Sequence, residues 1–369
     1  MPSATTLAIL SSIPGLKTAA SRLAWRRFGP LACAPKIQGR LGEIGRLFRR
    51  IRGGDAEGMA YEANDWLMRT MARECRRRSV TAVHSYEDCS LEQFEEAKRL
   101  NKACIYDMPI GYYRAWEQTQ QDLARQFADW LPPGGLSSSQ WSRPEQKRKE
   151  MELADLVLAP SAFVRETILQ FHPDKKVALA PYGVDTDFWR PSPDEHPEAS
   201  LRFICAGQCS LRKGTPVLIE AWRKAGLKDA TLSLIGSWQL AKNRQANLPD
   251  GVQYTGPISR EKLREAFHQA DVFVCPTFFE GRTLVVGEAL ACGLPVITTE
   301  ASGITDLVDA TCGRIITPGD EQELIEALKW FCEHRHQLAV MKVAARWRAK
   351  TCTWPHYRQC VTRAVAEFS

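Results

Sequence analysis

DVFVCPTFFEGRTLVVGEALACGLPVITTE, residues 271 to 300, reads as a strand, a helix and a second strand. DVFVCPT (271 to 277) is a short apolar run closed by Pro and Thr, as a buried strand is. TLVVGEALACG (283 to 293) has the length of a helix and a glycine stop, and PVITTE (295 to 300) is a second strand. The same alternation extends on both sides. LRFICAG (201 to 207), TLSLIGS (231 to 237) and GRIITPG (313 to 319) are further strands. TPVLIEAWRKAG (215 to 226), REKLREAFHQA (260 to 270) and EQELIEALKWF (321 to 331) are helices, the first with Leu218, Ile219 and Trp222 on one face. Strands alternating with helices imply an α/β fold, a parallel sheet wrapped by helices. Ligands of such sheets bind beyond the carboxyl ends of the strands, so the loops there are the places to search.

The N-terminal half is α/β in pattern as well. VTAVHSY (80 to 86), ACIYDMP (103 to 109), LVLAPS (156 to 161) and KVALAPYG (176 to 183) read as strands, and LEQFEEAKRL (91 to 100) as an amphipathic helix. Residues 1 to 60 are mostly helical in pattern. RPSPDEHPEAS (190 to 200), with its prolines and acids, marks the boundary between two domains, because a strong strand follows at once. The expected division is 1–189, 190–350 and a C-terminal helix within 351–369 that packs back on the first domain.

The chain has 369 residues, suited to two domains of ordinary size. Its hydrophobic content is 44% and its charged content 25%, the balance of a globular protein. No run of about 18 apolar residues is present, so no membrane-spanning helix is expected. The 12 cysteines form no Cys-x-x-Cys pair, which argues for a reduced, cytoplasmic chain and against structural zinc. The net charge of +6 is concentrated: residues 1 to 52 hold ten Lys or Arg against the single acid Glu43. In GRLGEIGRLFRRIRGG (39 to 54), helical spacing groups Leu41, Ile44, Phe48 and Ile51, with arginines flanking them. That segment reads equally as a solvated helix face or as a contact with an anionic membrane surface on its inner, cytoplasmic face. No nucleic acid is expected as a partner.

Three loops carry the chemistry. Glu280 lies after the strand DVFVCPT, and Glu288 lies eight positions on, within the next helix. The N–H groups of Gly281, Arg282, Thr283 and Leu284 open that helix without intrahelical partners, which makes an anion site. A carboxylate beside an anion site suits a sugar joined to a diphosphate. In AGQCSLRKGTPVLIEAW (206 to 222), Arg212 and Lys213 follow a strand end and can neutralise a pyrophosphate. LIGSW (234 to 238) and YTGPIS (254 to 259) bring Gly236, Gly256 and Ile258 to strand ends, where a flat ligand can approach the backbone.

In this order and spacing, these segments resemble glycosyltransferase family 4. Glu280 and Glu288 match that family's E-x7-E signature, and Arg212, Lys213 and Gly214 match its basic loop. MELADLVLAPSAFVRETI and ALAPYGVDTDFWRP, between 151 and 191, look like its interdomain passage. The resemblance runs from about residue 80 to about residue 335. It implies two facing Rossmann-like domains of the GT-B type, with the active site in the interdomain cleft. It further implies a retaining, metal-independent hexosyltransferase that uses a nucleotide diphosphate sugar, with no other cofactor, on a surface polysaccharide or lipid-linked glycan. Glu280 would touch the transferred sugar and Glu288 the donor ribose. Arg212 and Lys213 would stabilise the leaving diphosphate. Gly281, Arg282, Thr283, Leu284, Gly207, Gln208, Gly236 and Ile258 would complete the donor site. Asp185 and Asp187 belong to the interdomain turn and are not read as a metal pair.

The chain departs from the family pattern in three places. Gln208 stands where many relatives have Arg, Arg282 and Thr283 where small residues are frequent, and the N-terminal glycine-rich turn is missing. Tyr112, Tyr113 and His84 read first as core or rim aromatics, with a place on the acceptor-side face as their alternative. A nucleotide-sugar epimerase of the same fold and a non-catalytic nucleotide-binding homologue remain the alternative functions.

Overall fold

The computed structural model describes residues 56–135, 143–193 and 200–368. The basic segment 39–54 lies outside them. The chain divides into two compact units at Thr70, and the architecture below belongs to the second, residues 71–369.

That unit holds two parallel sheets. The first has four strands in the order β1-β2-β3-β4: Ala82–Tyr86, Ala103–Asp107, Leu156–Ala159 and Val177–Leu179. Neighbouring residues in these strands point to opposite faces, and the central strands β2 and β3 are buried on both. Val83, Cys104, Tyr106 and Val157 face one core, while Ile105, Leu156 and Leu158 face another. A strand buried on both sides needs such a continuous apolar run. Ala364, from the C-terminal helix Trp354–Phe368, covers the second face.

The second sheet has six strands in the order β10-β9-β8-β5-β6-β7. They are β5 Leu201–Ala206, β6 Ala230–Ile235, β7 Val252–Tyr254, β8 Val272–Cys275, β9 Val296–Thr299 and β10 Gly313–Ile316. Numbered within the domain and read from β7, this is the 3-2-1-4-5-6 order of a Rossmann fold. The strand order reverses between β5 and β8, which pair through Phe203 and Val272. Phe203 and Val272 face a core with Trp222 and Leu328, whereas Ile204 and Phe273 face one with Ala289 and Ala345. Sequence-coded caps delimit the flanking helices. The Ser259 hydroxyl accepts from the Lys262 N–H, the Asp320 carboxylate from the Glu323 N–H, and Gly226 ends its helix in the left-handed region.

The chain crosses between the sheets twice. It goes forward through residues 180–190 and returns between the helices Leu338–Thr351 and Trp354–Phe368. The two passages lie side by side. The Val184 N–H donates to the Cys352 carbonyl at 2.9 Å, Val184 bridges Thr353 in parallel, and the Tyr182 and Tyr357 rings stand 5.6 Å apart. The α/β fold with two parallel-sheet domains, expected from the sequence, is the one observed.

Candidate active site at the reversal of strand order

Two loops leave the carboxyl ends of β5 and β8, where the strand order reverses. The first runs from Gly207 to Gly214, which opens the helix Thr215–Ala225. The second runs from Pro276 to Thr283, which opens the helix Leu284–Ala291. They are laced together: the Arg212 carbonyl accepts from the Phe278 N–H at 2.8 Å and from the Thr277 hydroxyl at 2.9 Å.

This lacing brings three charges to one point. The Glu280 carboxylate forms a short ion pair with Arg212 and lies 2.7 Å from Lys213 Nζ. All three side chains are largely enclosed, at 13 to 15% exposure, yet none is sealed. Two cations on one carboxylate leave a positive surplus, and partial enclosure strengthens its pull on an anion. Close by, the N–H groups of Leu284 and Val285 occupy the first helical positions, which have no intrahelical partner.

The Glu280 loop rests on the first domain. Ser161 Oγ donates to the Gly281 carbonyl at 2.6 Å. A Cβ on Gly281 would fall 1.7 Å from the Pro109 carbonyl oxygen, so only glycine fits there. The Phe279 ring packs 5.3 Å from Trp116 and 5.2 Å from Phe163. The loops after β2 and β3 thus meet the loop after β8, and the Glu280 cluster borders the cleft between the domains.

Glu288 sits apart, with its own cation. Burial pushes its carboxyl up, and Arg260 opposes that shift. Arg260 in turn lies 3.5 Å from Asp185 and 4.2 Å over the Phe188 ring. Asp185 also accepts from the Phe188 N–H, so its carboxylate serves the interdomain turn. Among the described residues, no group of three or more His, Cys, Asp or Glu could hold a metal ion.

Gly207, Gly236 and Ile258 follow the ends of β5, β6 and β7. Gly236 has φ 138°, and a Cβ there would lie 1.6 Å from the Gly207 carbonyl oxygen. Glycine therefore lets the ends of β5 and β6 approach closely, with Gln208 half-buried beside them.

Arg282 and Thr283, expected to help bind the donor, are engaged elsewhere. Arg282 does not aim its side chain at the anion site. It is buried and pairs with both oxygens of Asp306, at 2.8 and 3.0 Å, and with the Gly303 carbonyl and Cys352 Sγ. The Thr283 N–H is not free for an anion either. Both it and the Thr283 hydroxyl donate to the Ser302 carbonyl, at 3.0 and 2.9 Å. Tyr112 and Tyr113 are core residues at 1 and 6% exposure, and the Tyr112 hydroxyl pairs with His172 at 2.9 Å. His84 stays partly exposed, with Nε2 3.4 Å from Asp107. Sequence reasoning passed over Asp107. It is 1% exposed and accepts from the hydroxyls of Tyr182 and Tyr357, each at 3.1 Å. An acid at the end of an apolar strand, in IYDMP, was the available signal.

Residues 200–334 match the family described as Glycosyl transferases group 1. The chain is 28% identical over 223 residues to the sulfoquinovosyl transferase SQD2 of Arabidopsis thaliana, covering 54% of this chain and 43% of that protein. It is 29% identical over 255 residues to the alpha-maltose-1-phosphate synthase of Mycolicibacterium smegmatis, covering 60% of this chain and 65% of that one. The chain thus spans about half the length of the curated relatives it matches. Among solved structures, it resembles sucrose-phosphate synthase from Thermosynechococcus elongatus with a TM-score of 0.63 at 19% identity, over 83% of this chain and 78% of that one. Anabaena Alr3699/HepE, in complex with UDP and glucose, gives 0.58 at 16%, over 81% and 80%. Identity this low shows a shared fold.

Proposed function

We propose that this chain, whose second domain is of the glycosyl transferases group 1 type, moves a hexose from a nucleotide diphosphate sugar to a glycan or lipid-linked acceptor with retention of configuration. The observation that carries this reading is the meeting of Arg212, Lys213 and Glu280 at the reversal of strand order, beside the start of the helix Leu284–Ala291. A sugar diphosphate is the ligand that has use for both the cations and the carboxylate. The UDP and glucose held by the similar Anabaena protein agree with that chemistry.

In this reading, Glu280 stands where the donor's phosphates will lie. The phosphates take over Arg212 and Lys213, and Glu280 turns to the sugar. The bond from the anomeric carbon to the phosphate oxygen then breaks, and negative charge grows on the leaving diphosphate. Arg212, Lys213 and the helix start are already in place to meet that charge, and such preorganisation lowers the barrier. The anomeric carbon becomes positive, and the Glu280 carboxylate stabilises it. Charge neutralisation is assigned to these side chains, without a metal ion or another cofactor. Glu288, beside Arg260, holds the donor ribose. Gly236, Gln208 and Ile258 line the path to the base.

Titration with UDP and GDP, followed by donor hydrolysis, tests the reading. Arg212→Ala with Lys213→Ala should weaken nucleotide diphosphate binding by about 100-fold or more and leave nucleoside binding nearly unchanged, because charge-assisted hydrogen bonds contribute roughly 1.5 to 3 kcal/mol each. Unchanged affinity of the double variant for both nucleotides would remove this loop from the donor site.

A further inference from the structure

The donor site lies at the carboxyl edge of the second sheet. At the opposite, amino edge is a cavity of about 590 Å³, a size typical of small-molecule sites. Leu201, at the start of β5, and Asp271, just before β8, form its floor, and the helix Leu338–Thr351 forms a wall. Among the described residues that line it, four are cations, Arg202, Arg335, Lys342 and Arg346, against the carboxylate of Asp271. Arg202 and Lys342 share that carboxylate, at 3.1 and 3.3 Å. Arg346 donates to the main-chain carbonyls of Thr186, Trp189 and Ala291, which are neutral and leave its charge standing. The cavity therefore favours an anionic group.

A second observation comes from the outer face of the same helix. Val340, Val343 and Trp347 are exposed by 73, 71 and 61%. Their spacing of three and four places them in one stripe. A single exposed apolar side chain is ordinary, but a contiguous stripe marks an interaction surface. Val343 also lines the cavity, so stripe and cavity adjoin. Lys350, exposed three residues beyond Trp347, extends the same face. An apolar stripe bordered by cations is the pattern of a helix that lies in a membrane interface.

We propose that the helix Leu338–Thr351 rests on an anionic membrane surface, with Val340, Val343 and Trp347 in the headgroup layer and the phosphate of an anionic phospholipid in the adjoining cavity. A soluble phosphate compound would satisfy the cations but would leave the stripe without a partner. Placed at the amino edge, this contact leaves the donor crevice open at the other edge.

Co-sedimentation of the full chain with phosphatidylcholine vesicles, with and without phosphatidylglycerol, tests the proposal. The parent should pellet with the anionic vesicles, and less so as salt is raised. Val343→Ser with Trp347→Ser should lower that binding about tenfold or more, and Lys342→Glu should lower it comparably. All variants keep residues 39–54 and should bind UDP as the parent does, so a loss is assigned to this helix and not to unfolding. The serine pair replaces exposed side chains, which guards against a fold defect. Equal pelleting with neutral vesicles, or undiminished pelleting of the serine pair, would overturn the proposal. So would a site at which Lys342→Glu abolishes binding of inorganic phosphate while the serine pair leaves vesicle binding intact.

Discussion

Two clusters of charge are built from the same ingredients and end in opposite states. In one, Arg212 and Lys213 share Glu280 beside the cleft, with a positive surplus. In the other, Lys147 lies 3.0 Å from both Glu87 and Asp88, with its side chain 2% exposed and a surplus of carboxylates. Close to that second cluster, Glu150 is fully buried. It accepts from the N–H groups of Asp88, Ser90 and Leu91 and from the Tyr106 hydroxyl. The second cluster thus fastens the turn after β1 to the helix Pro144–Leu153. The sign of the surplus decides what each cluster does. A cationic surplus can receive an anion. An anionic surplus repels one, and burial pushes the Glu87 carboxyl up to about 7.

The contrast can be broken at several points. Lys147→Met would strand the enclosed Glu87 carboxylate and take away the cation that Asp88 pairs with. Removing one partner of a buried pair costs about 3 to 5 kcal/mol, so chemical unfolding should show a loss of that order, whereas Arg212→Ala should change stability by less than about 1 kcal/mol. Similar losses for both variants would erase the distinction between the two clusters. Glu280→Gln should lower kcat by about 100-fold yet bind UDP or GDP at least as tightly as the parent, because Arg212 and Lys213 lose their internal competitor. A variant with normal kcat would show that Glu280 does not act on the sugar.

The third point concerns pH. The Glu87 carboxyl is raised in the folded protein, so folding favours its protonated form. That contribution is fully present below the unfolded value near 4.5 and is lost as pH rises through about 7. Glu87→Gln should therefore flatten the decline in stability between pH 5 and 8, by roughly 1 to 3 kcal/mol at the alkaline end, in melts across that range. An unchanged slope would place the titration elsewhere. The smallest effect is expected at Glu288. Glu288→Gln should raise KM for the donor about fivefold with kcat nearly constant, since a ribose contact serves the ground and transition states alike. A fall in kcat instead would give Glu288 a part in the chemistry.

The second domain was legible because its signals are local. Phe203, Ile204, Val272 and Phe273 sit in apolar runs that only a doubly covered strand explains, and Ser259, Asp320 and Gly226 mark helix ends within a few residues of the pattern they close. The meeting of Arg212 with Glu280 followed from topology, since both follow strands that end at the same edge. What escaped depends on partners distant in sequence. Arg282 is committed to Asp306 and Cys352, and the Thr283 N–H to Ser302. Asp107 is ringed by hydroxyls from residues 75 and 250 positions away. In QKRKEME, Lys147 and Glu150 look like any solvated helix face, because burial is decided by the loop that folds over them.

The two chain passages between the domains have a mechanical consequence. Side by side and joined at Val184 and Cys352, they act as one hinge pin rather than two separate tethers. A pin of this kind permits turning about its own line and resists sliding along it. The Arg282 guanidinium, in contact with Cys352 Sγ, clips the entrance of the Glu288 helix to that pin. The helix that carries Glu288 is thereby fastened close to the line about which the two sheets would turn.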